Sequence, residues 1–173
     1  MIFSMRLKHI HKALFLLVLA SAFAGVRSLG AQDLGIAVGK RAPAAVVRTL
    51  DGKSVDLGAY VGKTPMFIEF WAVWCPNCRH LEPALIAAEK KYGSKMKFIG
   101  VAVAINQTAE RVKLYTEKHG LKHQIVFDTE GNAAEAYDPP ATSYIVVVDR
   151  TGKIVYTGVG GDQNLEAAIK KAL

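Results

Sequence analysis

The chain has 173 residues, enough for one domain with a sizeable core, and a formal net charge of +7. Four of its 22 basic residues lie before residue 32, where no acidic residue occurs, so the other 18 are set against 15 acidic residues. The resulting net charge of +3, without basic runs interleaved with aromatic residues, argues against a nucleic-acid-binding surface.

The N-terminal segment has the pattern of a secretory signal. Basic residues precede an apolar run, Ala13 to Ala24, that is short for a membrane-spanning helix of about 20 residues. Cleavage is expected after Ala24 or Ala31, so residues 1–31 are the predicted signal peptide of an exported protein in the periplasm or cell envelope. The open alternative is an uncleaved segment in which residues 13–24 anchor the protein to the membrane, and no other membrane contact is expected.

Beyond this segment, strand and helix patterns alternate along the chain. Residues 44–50 and 53–57 flank the turn dipeptide Asp51-Gly52 and predict a β-hairpin. Further strands are predicted at 66–72, 97–104, 124–127, 144–149 and 154–156. Helices are predicted from the cysteines to about residue 93 and at 108–119, 132–137 and 164–173. The alternation indicates a single α/β three-layer domain with a mixed central sheet.

The two cysteines of the chain, Cys75 and Cys78, are separated by two residues and lie between a buried strand and a helix. In an exported protein such a pair could form a stabilising disulfide. A ring that closes over two residues removes little loop entropy from the unfolded chain, which disfavours that role. The position favours a redox site that exchanges disulfides with another molecule.

No metal and no cofactor is predicted at this pair. Attachment of c-type haem requires a His directly after the second Cys, where this chain has Arg79. A zinc site requires a second pair of ligands at motif spacing. His119 and His123 are four residues apart but lie on either side of Gly120. We therefore expect them at a solvated helix end.

Cys75 is the predicted nucleophile, because its thiolate would lie at the helix end where free N–H groups and the dipole favour negative charge. Pro76 suits the first helical turn, where its missing N–H would be unpaired anyway. Cys78 lies one turn further in, is expected to be more enclosed, and is the predicted resolving thiol. In the expected cycle, Cys75 attacks a disulfide and Cys78 then resolves the mixed disulfide.

Glu69 lies inside the apolar run at residues 66–73, six residues before Cys75. A carboxylate is costly to bury in its charged form, so we expect a raised pKa for Glu69. Its predicted role is to accept and donate the proton of Cys78 during resolution. The alternative is that strand alternation turns Glu69 to a solvated face or into a salt bridge.

The string Glu-Phe-Trp-Ala-Val-Trp-Cys-Pro-Asn-Cys-Arg at residues 69–79, followed by Pro83, resembles the thioredoxin-like superfamily. Within it, the chain is most similar to exported thiol–disulfide interchange proteins of the TlpA type. The resemblance covers residues 37–173 and implies a thioredoxin-like domain there. It also implies an N-terminal β-hairpin and a helix-strand insertion at about 105–130.

The same resemblance implies roles for individual residues. Trp74 and Pro76 would support the active site, Pro83 would bend its helix, and Glu69 would be the buried acid. No cofactor is implied. The implied partners are protein disulfide or dithiol clients and an upstream thiol that donates electrons.

This chain departs from the family pattern near its penultimate strand. Family members have a cis-proline there that faces the cysteines and helps to hold the substrate backbone. The corresponding position falls near Ser143, whereas the prolines of this segment are Pro139 and Pro140. Either the loop is longer or the cis-proline is absent, so the partner-binding role is assigned to the loop of Ala141, Thr142 and Ser143.

Two further departures concern the acid and the redox dipeptide. Many TlpA-type proteins have a Glu three residues after the second Cys, where this chain has Leu81, with Glu82 next to it. The acidic function is therefore expected from Glu69. The dipeptide Pro76-Asn77 matches neither thioredoxin nor the strong oxidants, which leaves the direction of electron flow open.

The leading hypothesis is an exported thiol–disulfide oxidoreductase that acts as a reductant or isomerase on protein disulfides. One alternative is a thiol peroxidase, because the insertion looks peroxiredoxin-like. Peroxiredoxins have a Thr shortly before the attacking Cys, whereas Ala72 and Val73 occur here. The other alternative is a copper-binding chaperone that uses the thiolates of Cys75 and Cys78.

Overall fold

The computed structural model describes residues 35–173, and the predicted signal peptide lies outside the described residues. Seven strands pair within one mixed sheet: β1 Val46–Thr49, β2 Ser54–Asp56, β3 Met66–Trp71, β4 Lys97–Val103, β5 Gln124–Asp128, β6 Tyr144–Val148 and β7 Ile154–Val159. Their spatial order is β2-β1-β5-β4-β3-β6-β7. The helices are α1 Pro76–Tyr92, α2 Ala109–His119, α3 Asn132–Tyr137 and α4 Leu165–Lys170.

Strand β3 lies at the centre of the sheet and leads directly to the cysteines. It pairs in parallel with β4 and antiparallel with β6, and all six of its residues are buried. This environment on both faces explains why its sequence is almost continuously apolar. Cys75 therefore lies just beyond the carboxyl end of a central strand.

Both faces of the sheet are covered, which confirms the predicted α/β three-layer fold. On one face, Phe67 of β3 belongs to a core cluster with Leu81 of α1 and Ile169 of α4. On the other face, the ring of Phe70 packs against those of Tyr137 in α3 and Tyr144 in β6, with centroids 5.5 and 6.1 Å apart.

Helix α2, which follows β4, has clear signals at both ends. The Thr108 hydroxyl accepts a hydrogen bond from the backbone N–H of Arg111 at 3.2 Å, as an N-cap residue does. Gly120 ends the helix in the left-handed region, at φ +66°. These caps fix the start of α2 and place its last turn beside α1, where Tyr115 and His119 contact Glu82.

Two predicted element ends differ from the structure by three residues. Strand β7 was expected to end at residue 156, but its pairing with β6 continues to Val159 through Gly158, a residue that weakens a strand pattern. Helix α4 ends at Lys170, before the predicted residue 173, because its last turn tightens: the N–H of Ala172 bonds to the carbonyl of Ile169. Within residues 35–173, no helix is both long and apolar enough to cross a membrane.

Candidate active site

Cys75 is the N-cap residue of α1 and forms a disulfide with Cys78, with 5.3 Å between the two Cα atoms. The Sγ atom of Cys75 also accepts a hydrogen bond from the backbone N–H of Cys78 at 3.1 Å. The first turn of α1 contains no acidic residue. The positive end of the helix dipole therefore acts on this sulfur without an opposing charge in that turn. Such an environment stabilises a thiolate when the disulfide is reduced.

Both cysteines are buried in this oxidised form. Cys75 is 2% exposed and Cys78 is 6% exposed, so the expectation that Cys78 is the more enclosed residue is wrong for this state. The reason is that the sulfur of Cys75 is turned back over the first turn of α1. An approaching partner therefore first meets the exposed neighbours of the pair, Trp74, Pro76 and Asn77.

Side-chain hydrogen bonds hold the loop between β3 and α1. The indole Nε1 of Trp74 donates to the carbonyl of Ile105 at 2.7 Å, while the ring remains 38% exposed. Arg79 donates from Nη1 to the carbonyl of Val73 at 3.2 Å. The ring of Trp74 is thus anchored to the loop after β4 and still available at the surface beside Cys75.

The two prolines of the motif occupy different places in α1. Pro76 is the first residue of the helix, where no backbone donor is lost. Pro83 lies inside the helix, so the carbonyl of Arg79 lacks the partner that it would have in a regular helix. Pro83 is therefore the point of α1 at which a bend is expected.

Glu69 is buried under the active site, at 5% exposure. Burial, and secondarily the charge of Glu82, raises the pKa of Glu69 to about 8. No cation among residues 35–173 lies within ion-pair distance of this carboxylate. Glu69 thus lies neither on a solvated face nor in a salt bridge, which were the alternatives considered from the sequence.

A small cavity of about 10 Å³ connects the buried acid with the cysteine pair. Its lining includes Glu69, Cys78, Glu82 and Tyr115. The volume is close to the space that one water molecule needs. The side chains of Cys78 and Glu69 therefore line one small space, in which a proton can pass between them through one water.

Glu82 is a member of this site that sequence reasoning set aside. Its Oε2 atom accepts a hydrogen bond from the Tyr115 hydroxyl at 2.9 Å, and its Oε1 atom lies 2.8 Å from Nδ1 of His119. The rings of Tyr115 and His119 stack with centroids 3.8 Å apart. The spacing Tyr115–His119, four residues apart on one face of a helix, was the available signal.

His123 does not lie at a solvated helix end, contrary to the expectation. It is buried at 9% exposure, and its Nδ1 atom lies 3.5 Å from Oε2 of Glu89. Burial lowers the pKa of His123, while Glu89 opposes that change. His119 is half-buried against Glu82, so neither histidine is a free surface residue, and Gly120 separates two packed side chains.

The three residues of the predicted partner-binding loop differ in how far they are exposed to solvent. Ala141 is exposed and Thr142 is half-exposed, whereas Ser143 is fully buried. The Ser143 hydroxyl donates to the carbonyl of Gly160 at 3.0 Å, and the backbone at Ser143 has φ +62°. No cis peptide bond occurs in residues 35–173, so Pro139, Pro140 and Ser143 all follow trans peptide bonds.

An apolar groove of about 620 Å³ lies beside Trp74. Its walls include Ile105 from the loop after β4, Ala134 from α3, and Pro139 and Thr142 from the loop before β6. Trp74 and two members of the predicted partner-binding loop, Ala141 and Thr142, therefore line the same depression. Ser143 is not part of its lining.

Comparisons with known proteins agree on one family. The model of the Redoxin family matches residues 37–173. The chain is 29% identical over 167 residues to the thiol-disulfide oxidoreductase ResA of Bacillus cereus, covering 92% of this chain and 94% of that protein. It is 32% identical over 139 residues to the ResA of Bacillus thuringiensis, covering 78% of each protein.

Solved structures show the same likeness. The thioredoxin domain of a thiol-disulfide oxidoreductase from Bacteroides vulgatus superposes with a TM-score of 0.68 at 26% identity, covering 80% of this chain and 99% of that domain. The solution structure of a thioredoxin-type protein from Neisseria meningitidis superposes with a TM-score of 0.67 at 28% identity, covering 78% and 90%.

Proposed function

The chain belongs to the Redoxin family, and from that premise we propose that it exchanges disulfides with client proteins outside the cytosol. The sequence-based identification as a thioredoxin-like, TlpA-type thiol–disulfide oxidoreductase is confirmed by the named relatives. The observation that carries the proposal is the Cys75–Cys78 disulfide at the N-terminus of α1, with Glu69 buried beneath it.

The proposed cycle begins with the reduced pair. The Cys75 thiolate attacks one sulfur of a client disulfide, forming a mixed disulfide and releasing the other client sulfur as a thiolate that takes a proton from solvent. Glu69 then accepts the proton of the Cys78 thiol. The Cys78 thiolate attacks Cys75, the Cys75–Cys78 disulfide forms, and the second client sulfur leaves and is protonated. One client disulfide is reduced and the active-site dithiol is oxidised.

The surface beside Cys75 supports a protein client. The groove next to Trp74 is predominantly apolar and open enough to accept side chains flanking a client cysteine. Trp74, Ala141 and Thr142 are the residues that we propose to contact the client backbone and side chains. Ser143 would act by holding the loop, because its hydroxyl and its backbone carbonyl bond to Gly160 and Gln163.

We propose that the protein works in the periplasm or cell envelope as a reductant or isomerase. The basic and apolar N-terminal segment supports export. A reductant in that compartment needs an upstream thiol donor that returns the disulfide to the dithiol. The reduction potential of the Cys75–Cys78 pair tests the direction: a value near that of thioredoxin, about −270 mV, supports a reductant, whereas one near −120 mV indicates an oxidant.

The mechanism is tested with two cysteine variants of the mature domain. In an insulin-disulfide reduction assay, Cys75→Ser is expected to abolish activity. Cys78→Ser is expected to accumulate a mixed disulfide with a substrate peptide, visible as an added mass that a thiol removes. Full activity in Cys75→Ser would contradict the mechanism. Rapid peroxide consumption, or stoichiometric copper binding without reductase activity, would instead favour the alternative functions.

A further inference from the structure

A second carboxylate lies beside the buried acid, and α2 holds it there. Glu82 lies four residues after Cys78 on α1, and its side chain is 18% exposed. Its two oxygens are occupied by different partners, the Tyr115 hydroxyl and His119 Nδ1. A carboxylate with a partner on each oxygen has a fixed orientation. Its place between the buried cavity and the protein surface is therefore defined by α2.

Tyr115 is suited to remain a hydrogen-bond donor to Glu82. Burial, and next its hydrogen bond to Glu82, raises the pKa of Tyr115, while the charge of Arg79 opposes this in part. Its hydroxyl therefore stays protonated throughout the physiological range. The ring also packs against Trp71, with centroids 5.6 Å apart, which fixes the hydroxyl over the cavity.

Among residues 35–173, no lysine or arginine lines the cavity of Glu69 or lies within ion-pair distance of Glu69 or Glu82. Besides Glu82, α1 supplies Cys78 and α2 supplies Tyr115. The neighbouring strands place Gly100 and Ile145 opposite Glu69, and neither is titratable.

His123 is the remaining titratable group that lines the cavity. Burial lowers its pKa, which favours the neutral imidazole. Its ion-pair partner is Glu89, and the charge of Glu82 also acts on it. A neutral imidazole does not offset the repulsion between Glu69 and Glu82.

We propose that Glu82, held by Tyr115 and His119, is a positioning residue whose charge keeps the proton of the site on Glu69. Two carboxylates that face one small cavity repel each other when both are charged. Glu82 has a hydrogen-bond partner on each oxygen and is partly exposed, whereas Glu69 is buried, so the proton is favoured on Glu69. This inference rests on the proposed function, because it concerns the proton that Cys78 exchanges.

The proposed arrangement favours the step in which the active-site disulfide is opened. An upstream donor thiolate attacks Cys75, and the bond between Cys75 and Cys78 breaks. The electron pair goes to the sulfur of Cys78, which takes the proton from Glu69, and Glu69 becomes a carboxylate. In the opposite step, Cys78 returns its proton to Glu69 and attacks the mixed disulfide. Glu82 thus adds to the effect of burial in raising the pH at which Glu69 can receive that proton.

Stopped-flow measurements with a small aromatic disulfide test this proposal. At saturating disulfide, the concentration-independent phase reports attack by Cys78 on the mixed disulfide. In the parent protein its rate is expected to rise with pH through a midpoint near 8, the pKa of Glu69. Glu82→Gln removes the repelling charge, so its midpoint is expected at lower pH. Glu82→Asp keeps the charge and is expected to restore the midpoint toward the parent value.

Glu117→Gln is the matched control, because it removes an exposed carboxylate of α2 that does not line the cavity of Glu69. Its midpoint is expected to coincide with that of the parent. Tyr115→Phe leaves α1 unchanged and removes one donor from Glu82. Glu82 is then held less firmly beside Glu69, so a smaller shift in the same direction as in Glu82→Gln is expected.

A second readout separates this inference from the proposed function. Infrared titration of the protonated carboxyl band of Glu69, identified by its loss in Glu69→Gln, follows the proton without any disulfide exchange. A lower midpoint in Glu82→Gln by both methods supports the inference. Identical midpoints in Glu82→Gln, Tyr115→Phe and the parent overturn it while the exchange activity stands. Absence of exchange in the parent contradicts the proposed function alone.

Discussion

The side chain of Gln107 joins the active-site loop to the neighbouring strand β4. Its Oε1 atom accepts a hydrogen bond from the backbone N–H of Val73 at 2.9 Å, and its Nε2 atom donates to the carbonyl of Val103 at 2.6 Å. Val73 precedes the Trp74-Cys75 dipeptide and is 7% exposed. One amide thus satisfies two backbone groups at the point where the chain leaves the sheet for the cysteines.

We expect Gln107→Ala to destabilise the protein by about 1 to 3 kcal/mol, because the nearly buried N–H of Val73 loses its partner. Urea unfolding of the oxidised protein measures this loss. Substitution of the exposed Lys113 by Ala, six residues further along, is expected to change stability by less than about 0.5 kcal/mol. Equal stability of Gln107→Ala and the parent would show that water replaces the amide.

The buried carboxyl of Glu69 makes stability depend on pH. Its pKa is raised from 4.5 to about 8 on folding, so the folded state binds the proton more tightly than the unfolded state. The stabilisation is fully present below pH 4.5 and is lost as the pH rises through 8. At about 1.4 kcal/mol per pKa unit, the full change is up to about 5 kcal/mol.

Glu69→Gln isolates this contribution, since glutamine has a similar shape and no titrating proton. The free energy of unfolding, measured by urea titration at pH 5 and pH 9, is expected to fall more steeply in the parent than in the variant. His123 contributes equally to the pH dependence of both proteins, so its contribution cancels in the comparison. Because the pKa of His123 is lowered, its contribution reduces stability as the pH falls. Parallel pH dependences in the two proteins would mean that Glu69 ionises freely when folded.

The groove beside Trp74 predicts a difference between large and small substrates. Ala134→Phe adds a ring from α3 into the groove, so we expect a higher KM for a protein disulfide. The rate with a small aromatic disulfide is expected to remain within about twofold, because Cys75 itself is not altered. Steady-state kinetics with insulin and with the small disulfide measure the two effects.

Glu135→Phe is the control for this substitution. It adds the same ring to α3 at an exposed position that does not line the groove. Its KM for the protein disulfide is expected to equal that of the parent. An unchanged KM in Ala134→Phe, with the fold intact by circular dichroism, would place the client on another surface.

The sequence predicted the elements whose signals are local. The apolar run before Cys75, the spacing of the two cysteines and the ends of the helix predicted at 108–119 all depend on signals within a few residues, and the strand and helices lie where they were expected. The buried position of Glu69 was also predictable, because a single carboxylate in an apolar central strand has few alternatives.

The contacts that surround Glu82 could not be predicted in the same way. Tyr115 and His119 are 33 and 37 residues further along the chain, so their meeting with Glu82 depends on how α2 packs against α1. The same holds for His123, whose polarity and neighbouring glycine indicated solvent. Its burial results from tertiary packing beside Glu89 and Gly100, which no local pattern encodes.

The last prediction concerns Gly100 on the neighbouring strand β4, whose lack of a side chain leaves room for the residues around Glu69. It lies opposite Glu69 in the register of β3 and β4. A Cβ atom there would lie 2.7 Å from Ile125 Cδ1, 3.0 Å from Trp71 Nε1 and 3.2 Å from His123 Nε2. Gly100→Ala is therefore expected to destabilise the protein by about 1 to 3 kcal/mol, as overpacking of a dense core does.

Urea unfolding of Gly100→Ala measures this loss, with Gly52→Asn as the control. Gly52 has φ +87° and open space around its Cβ position. Asparagine tolerates the left-handed region better than other non-glycine residues, so this change is expected to cost less than the alanine at Gly100. Because Trp71 and His123 line the cavity of Glu69, Gly100→Ala should also move the pH midpoint of mixed-disulfide resolution. An unaltered stability and midpoint would show that Ile125 and Trp71 yield without disturbing the buried acid.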